Sequence, residues 1–286
     1  MSRSRLLPFL LSAFLLTMAC NIRLPLPSVP TPGPEIVDEV SIPWPEEDTP
    51  VQLTLRFGGG TFALSPAADE EMLLSGTATY NLPDLKPHVE VIGNRVEVSQ
   101  GEVSFSDGLR WKDVKNEWRF QLGTRPLDLH IQAGAYQAEY DLGGLALTSL
   151  TIQDGAADVH LSFSSPNRAE MSLLRYETGA SDVRMDHLGN ANFKTMIFKS
   201  GAGDYTLDFS GELQQDATVT IETGLSNLIL LIPQEIPAQV TVEGGLTNVA
   251  ADSGWSQRGN VYTQEGEGHS LVIVVQIGAG NLTLSH

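Results

Sequence analysis

The chain has 286 residues, of which 41% are apolar and 7% aromatic, and carries a net charge of −18. Its length allows one large domain or two small ones, with enough apolar material for a sizeable core. The charge argues against nucleic acid, whose phosphates need basic patches, and against direct adsorption to an anionic membrane surface.

At the N-terminus, Arg3 and Arg5 precede an apolar run over residues 6–16, too short to span a bilayer as a stable helix. Thr17-Met18-Ala19-Cys20 follows. Cys20 is the only cysteine, so it has no intramolecular disulfide partner. Placed after a small residue at the end of a signal peptide, it resembles the lipidation site of a bacterial lipoprotein, with Thr17 where leucine is usual. The alternative is an ordinary secretory signal cleaved nearby. On the lipoprotein reading residues 1–19 are removed. Cys20 then carries a lipid anchor, and the rest of the chain is displayed outside the cytoplasmic membrane or at the outer membrane. No other segment is apolar enough to cross a bilayer.

Residues 20–50 contain eight prolines, from Pro25 to Pro50. Proline lacks the N–H donor and fixes φ, so this stretch reads as an extended, semi-rigid tether. Structure is expected from residue 51. Val51, Leu53, Leu55 and Phe57 alternate with polar residues at the strand period, and Gly58-Gly59-Gly60 turns the chain. Residues 72–80 and 89–91 read as strands, Gly93-Asn94 as a hairpin turn, and Val96 and Val98 as its second strand. Trp111 and Trp118 lie among charged residues in a stretch that reads as irregular β structure. Residues 51–126 thus form an N-terminal β region.

From residue 127 to 286 a repeat takes over. Seven glycines align: Gly134, Gly155, Gly179, Gly201, Gly224, Gly245 and Gly278. Five and three residues before each stands an apolar side chain, for example Leu174 and Tyr176 before Gly179. Three residues after stands Gln137, Asp158, Asp182, Asp204, Asn227, Asn248 or Asn281. Apolar positions follow four and six residues after the glycine, such as Leu228 and Leu230. The glycine spacings are 21, 24, 22, 23, 21 and 33 residues. A period in the twenties with strand alternation predicts an all-β fold, a single-stranded β-solenoid whose coils stack into one core. Each glycine marks a corner that needs φ > 0 or has no room for a Cβ. The domain is expected to be continuous over residues 51–286. The spacing of 33 is read as an insertion near residues 252–268, carrying Trp255 and Tyr262. This insert either recognises a partner or caps the last coil.

The phrases at residues 201–211, 231–245 and 278–282, with the upstream stretch at 74–87, are similar to the toast-rack domain. That family is related to the C-terminal region of LiaF-type envelope stress proteins and to adhesin-type β-solenoids. The resemblance covers roughly residues 51–286 and implies the fold. It brings no catalytic motif, and the N-terminal membrane helices of LiaF-type proteins have no counterpart here.

The six histidines, His88, His130, His160, His187, His269 and His286, show no metal-ligand spacing and read as surface or corner residues. There is no nucleophile elbow and no phosphate-binding loop. The one suggestive constellation is the column Asp158, Asp182, Asp204, with Asp154 beside it. Stacked in register these carboxylates stand about 5 Å apart, to be relieved by solvent, backbone N–H groups or a bridging Ca²⁺. The expected role is non-enzymatic: adhesion, scaffolding, or binding a protein or polysaccharide partner in the cell envelope without a cofactor. The alternatives are a carbohydrate-active β-helix enzyme and a Ca²⁺-stabilised polymer-binding module.

Overall fold

The structure is a computed structural model, in which residues 31–46, 50–68, 71–101 and 113–286 are described. The described residues from Pro32 onward belong to one compact unit. Cys20, the signal segment and Trp111 lie outside the described residues. Among the described residues no helix is long and apolar enough to cross a membrane.

The core of the unit is a ladder of long, bent strands: β2 (Val51–Pro66), β7 (Leu127–Asp141), β10 (Met171–Asp186), β11 (Phe193–Asp208), β12 (Ala217–Leu231), β13 (Ala238–Ala251) and β16 (Leu271–Ser285). One further rung is split at its bend into β8 (Leu147–Gln153) and β9 (Ala156–Ser162). Neighbouring rungs pair in parallel without slippage across the bend, as in Tyr176↔Phe198, Asp182↔Asp204 and Val183↔Tyr205. Each rung turns inward the apolar residues before and after its glycine. Leu174, Tyr176, Val183 and Met185 are all buried, each contributing roughly 2 kcal/mol by burial. A single coil cannot hide these side chains, so the stack is the cooperative unit.

The glycine column decides between the two reasons for glycine. None of the seven aligned glycines has positive φ. Instead, a Cβ on Gly179 would stand 2.4 Å from the carbonyl oxygen of Gly155, and one on Gly201 would stand 2.6 Å from that of Gly179. The rungs approach too closely for a side chain. Strand pairing therefore runs through the bend, and the Gly179 and Ala180 N–H groups both donate to the Gly155 carbonyl, at 3.1 and 3.0 Å.

Four features differ from the sequence reading. First, β2 is a rung of the same ladder. It pairs with β7 from Val51↔Leu127 to Leu64↔Tyr140, and a Cβ on Gly134 would meet the Gly58 carbonyl at 2.2 Å. The repeat therefore begins at residue 51, and an excursion hides it. That excursion comprises β3 (Met72–Tyr80), β4 (Pro87–Ile92), β5 (Arg95–Gln100) and β6 (Asn116–Leu122). Second, β6 is regular. Asn116, Trp118, Phe120 and Leu122 alternate inward, and Trp118 is fully buried against Phe57, Phe62 and Phe120. The charged residues between them masked the alternation. Third, the stretch read as tether holds β1 (Ile36–Pro43), which pairs with β3. Pro34 precedes the strand and Pro43 ends it, which an edge strand tolerates. Trp44 packs back too, beneath the Arg125 guanidinium at 5.4 Å.

Fourth, the rungs do not stack in chain order. β16 lies between β12 and β13. The spacing of 33 arises because the chain skips one rung, makes β13, forms the hairpin of β14 (Ser256–Arg258) and β15 (Val261–Gln264), whose β15 runs back along β13, and then fills the gap. Tyr262 is buried opposite Val240 as part of this cap. Trp255 is half-buried and stacks on His286 with ring centroids 6.2 Å apart. The insert closes the first arm of β13, and Tyr262 is not free to recognise a partner.

If the missing Cβ sets the rung spacing, Gly179→Ala should cost about 2 kcal/mol. Gly155→Ala, where the nearest oxygen stands at 3.1 Å, should cost clearly less. Thermal melting of the two variants checks the order, and equal losses would contradict it.

Candidate functional site

The bend carries a surface feature that crosses several rungs. A shallow groove of about 710 Å³ runs over five of them. One outward side chain per rung lines it, two residues before the glycine: Glu177, Lys199, Glu222, Gln276 and Glu243. Thr178, Ser200 and Thr223 add hydroxyl-bearing positions, and Gly245 and Gly278 leave bare backbone. The parallel register places these polar residues in one row.

The row is charged but internally paired. Lys199 Nζ reaches Glu222 at 2.9 Å, Gln276 Nε2 donates to Glu243 at 3.0 Å, and Glu177 accepts from Gln153 at 2.9 Å and from Arg175 at 2.8 Å. The bonds from Gln153 and Arg175 hold the Glu177 carboxyl below its ordinary value. These half-exposed pairs add little stability. Their effect is to leave a polar surface in which Lys199 balances Glu222 and Arg175 balances Glu177, while Glu243 meets only the Gln276 amide.

Inside the bend, Asp154 sits one residue before its glycine, where other rungs carry Thr178, Ser200 or Thr223. It accepts hydrogen bonds from Tyr176 at 2.7 Å, from Tyr136 at 3.2 Å and from Thr178. Burial raises its pKa, and the hydroxyl donors only partly offset that. Burial also drives the Tyr136, Tyr140 and Tyr176 hydroxyls upward, so these phenols stay protonated, and Tyr136 and Tyr176 donate to Asp154.

A second, smaller cleft of about 350 Å³ lies beside β6, lined among others by Glu117, Trp118, Glu139, Asp158 and His160. His160 is clamped between Glu139, 2.5 Å from Nδ1, and Asp186, 2.8 Å from Nε2. Desolvation opposes its charge, but the bonds to Asp186 and Glu139 prevail and raise its pKa. Asp186 in turn is lowered, since Arg184 and His160 outweigh its burial. His160 was read as a plain surface residue; its partners lie on neighbouring rungs and become visible only once the register is known.

Asp158, Asp182 and Asp204 fall in register on consecutive rungs, all exposed. Asn227 donates to Asp204 at 2.6 Å and Asn281 donates to Asn227 at 2.7 Å, forming an amide ladder that continues the column. Among the described residues no group of three or more histidine, cysteine, aspartate or glutamate side chains is placed to hold a metal ion.

Residues 31–173 match the family described as the N-terminal domain of toast_rack, DUF2154. The chain belongs to the toast-rack family. Three solved structures resemble this toast-rack protein. A candidate cell adhesion protein from Clostridium sporogenes is 21% identical with TM-score 0.49, over 89% of this chain and 99% of that one. A candidate adhesin from Bacteroides fragilis is 11% identical with TM-score 0.40, over 90% and 99%. A candidate lipid binding protein from Parabacteroides distasonis is 8% identical with TM-score 0.34, over 87% and 97%. At these levels of likeness their descriptions carry no argument about function. No curated protein matches the sequence.

Asp154 gives this site a pH signature. Its folded pKa is raised, so its favourable contribution is complete below the ordinary carboxylate value of 3.8 and is lost as pH rises through the raised value. Asp154→Asn should therefore gain on the wild type as pH rises from about 3.5 to 7. The difference in melting temperature between the two proteins, followed over that range, checks this; a constant difference would contradict it.

Proposed function

We propose that this toast-rack protein is a non-enzymatic binding module of the cell envelope, and that the groove along its glycine bend takes an extended, uncharged, hydroxyl-rich polymer, a polysaccharide. The observation that carries this reading is the groove itself: five rungs each contribute one polar side chain, and the carboxylates among them already have partners. A cationic polymer would have to break those pairs, and an anionic one would face Glu177, Glu222 and Glu243. A glycan needs both donors and acceptors in a row. Lysine, amide and carboxylate groups supply them. Cys20, acylated, would hold the domain at a membrane surface outside the cytoplasm, with residues 21–35 as the spacer before β1.

A carbohydrate-active enzyme is the competing reading, and the small cleft supports its location. Glu117, Glu139, Asp158 and His160 line it together. Against turnover, Glu139 and Asp186 are occupied by His160, which leaves neither free as an acid–base partner.

Binding to insoluble cell-wall polysaccharides and to a glycan array, with and without Lys199→Ala/Glu222→Ala, separates the readings. The double variant leaves the net charge unchanged and should weaken binding about tenfold. Absence of glycan binding, or binding indifferent to this variant, would remove the groove as the site. Hydrolysis or lyase activity abolished by Glu139→Gln or Asp182→Asn would establish the enzyme instead.

A further inference from the structure

The two ends of the ladder are finished differently. At the β2 end both arms are covered: β5 pairs with the first arm over Gln52↔Arg95 to Arg56↔Ser99, and β6 with the second over Thr61↔Glu117 to Pro66↔Leu122. At the β13 end only the first arm is covered, by β15 over Ala238↔Gln264 to Thr241↔Val261, with Val242 N–H donating to the Asn260 carbonyl at 2.9 Å. Over residues 245–251 no described strand pairs with the outer edge of β13.

The core ends there unfinished. Four and six residues after the glycine, every inner rung carries buried residues, such as Leu228, Leu230, Leu282 and Leu284. On β13 the same positions are Val249, half-buried, and Ala251, exposed. A row of unpaired backbone groups beside an open apolar end is a template for another strand.

Other free edges are guarded. β1 carries Asp38, Glu39 and Pro43, β4 carries Pro87 and Glu90, and β14 carries Arg258. Residues 244–251 read Gly-Gly-Leu-Thr-Asn-Val-Ala-Ala, with no charge and no proline, in a chain of net charge −18. Natural edges are usually blunted by charges or proline; this one is left bare.

We infer that this edge is where a second copy of the chain docks, the two β13 arms pairing antiparallel about a two-fold axis at Asn248. The sequence is self-complementary in that register. Asn248 meets its twin, Thr247 faces Val249 on the inner side, and no like charges oppose each other. The amide column supports the same partner. It runs Asp158, Asp182, Asp204 at the far end and changes to Asn227, Asn281 and Asn248 toward this edge. An amide both donates and accepts, so the ladder can pass through the axis, whereas an aspartate at 248 would set two carboxylates face to face. Two copies this acidic can approach closely only through a neutral strip.

Sedimentation velocity of the chain in reductant, which keeps Cys20 from bridging, tests the inference. A dimer is expected. Asn248→Lys and Asn248→Asp, both at an exposed position, should each weaken it at least tenfold while keeping the wild-type melting temperature. Mixing the two variants should restore a one-to-one dimer through the new opposite charges. Should either charged variant fail to fold, Asn248→Cys in a chain with Cys20→Ser, without reductant, provides the second reading: an intermolecular disulfide at position 248 is expected. A chain that stays monomeric to about 100 μM, within the micromolar range of ordinary association, would overturn the proposal. So would a dimer untouched by both charged variants, or a wild-type strand that pairs only with a foreign peptide.

Discussion

The contact on which this molecule depends is between a glycine and the carbonyl oxygen of the glycine one rung away. Gly58, Gly134, Gly155, Gly179, Gly201, Gly224, Gly278 and Gly245 form one file, and a Cβ on each member after the first would meet the previous carbonyl at 2.2–3.1 Å. Because the file has no side chains, the strands keep their hydrogen bonding through the bend. Both arms of each rung then face one core, and inward residues line up into apolar columns. The same gap produces the groove outside the bend and the hydroxyl-rich angle inside it, where Asp154 is held by two tyrosines and a threonine. Site and fold therefore share one cause.

Much of the fold was legible because the repeat imposes many columns at once. Leu174, Tyr176, Gly179, Asp182, Val183 and Met185 recur in kind on rung after rung, and the alternation on either side of the glycine states which residues turn inward. Stacking order was not legible. A sequence repeat says that rungs are equivalent and says nothing of which two are neighbours, so the insertion of β16 between β12 and β13 could not be read from a spacing of 33. The β2 rung was missed for a related reason: the 76 residues from Gly58 to Gly134 exceed any single period, and Gly58-Gly59-Gly60 looked like a turn.

The site was less legible than the fold. Lys199, Glu222, Gln276 and Glu243 look like ordinary outward residues along the chain; only the register sets them in one row. The Asp158, Asp182, Asp204 column was visible from spacing alone, and the register sets it on consecutive rungs, where it continues into an asparagine ladder. Tyr262 and Trp255 departed from the repeat and so drew attention as recognition residues; one is core and the other stacks on His286. Departure from a repeat marks an end to be closed as readily as a surface to be used.

Cross-linking across rungs tests the stacking order most directly. With Cys20 replaced by serine, the pair Asn227→Cys/Asn281→Cys places two thiols on adjacent parallel strands in register, within the separation a disulfide needs. Asn227→Cys/Asn248→Cys places them two rungs apart, with β16 between. The first pair should oxidise to an intramolecular disulfide and the second should remain reduced. A disulfide in the second pair and none in the first would mean that the coils stack in chain order, and would contradict the ladder described above.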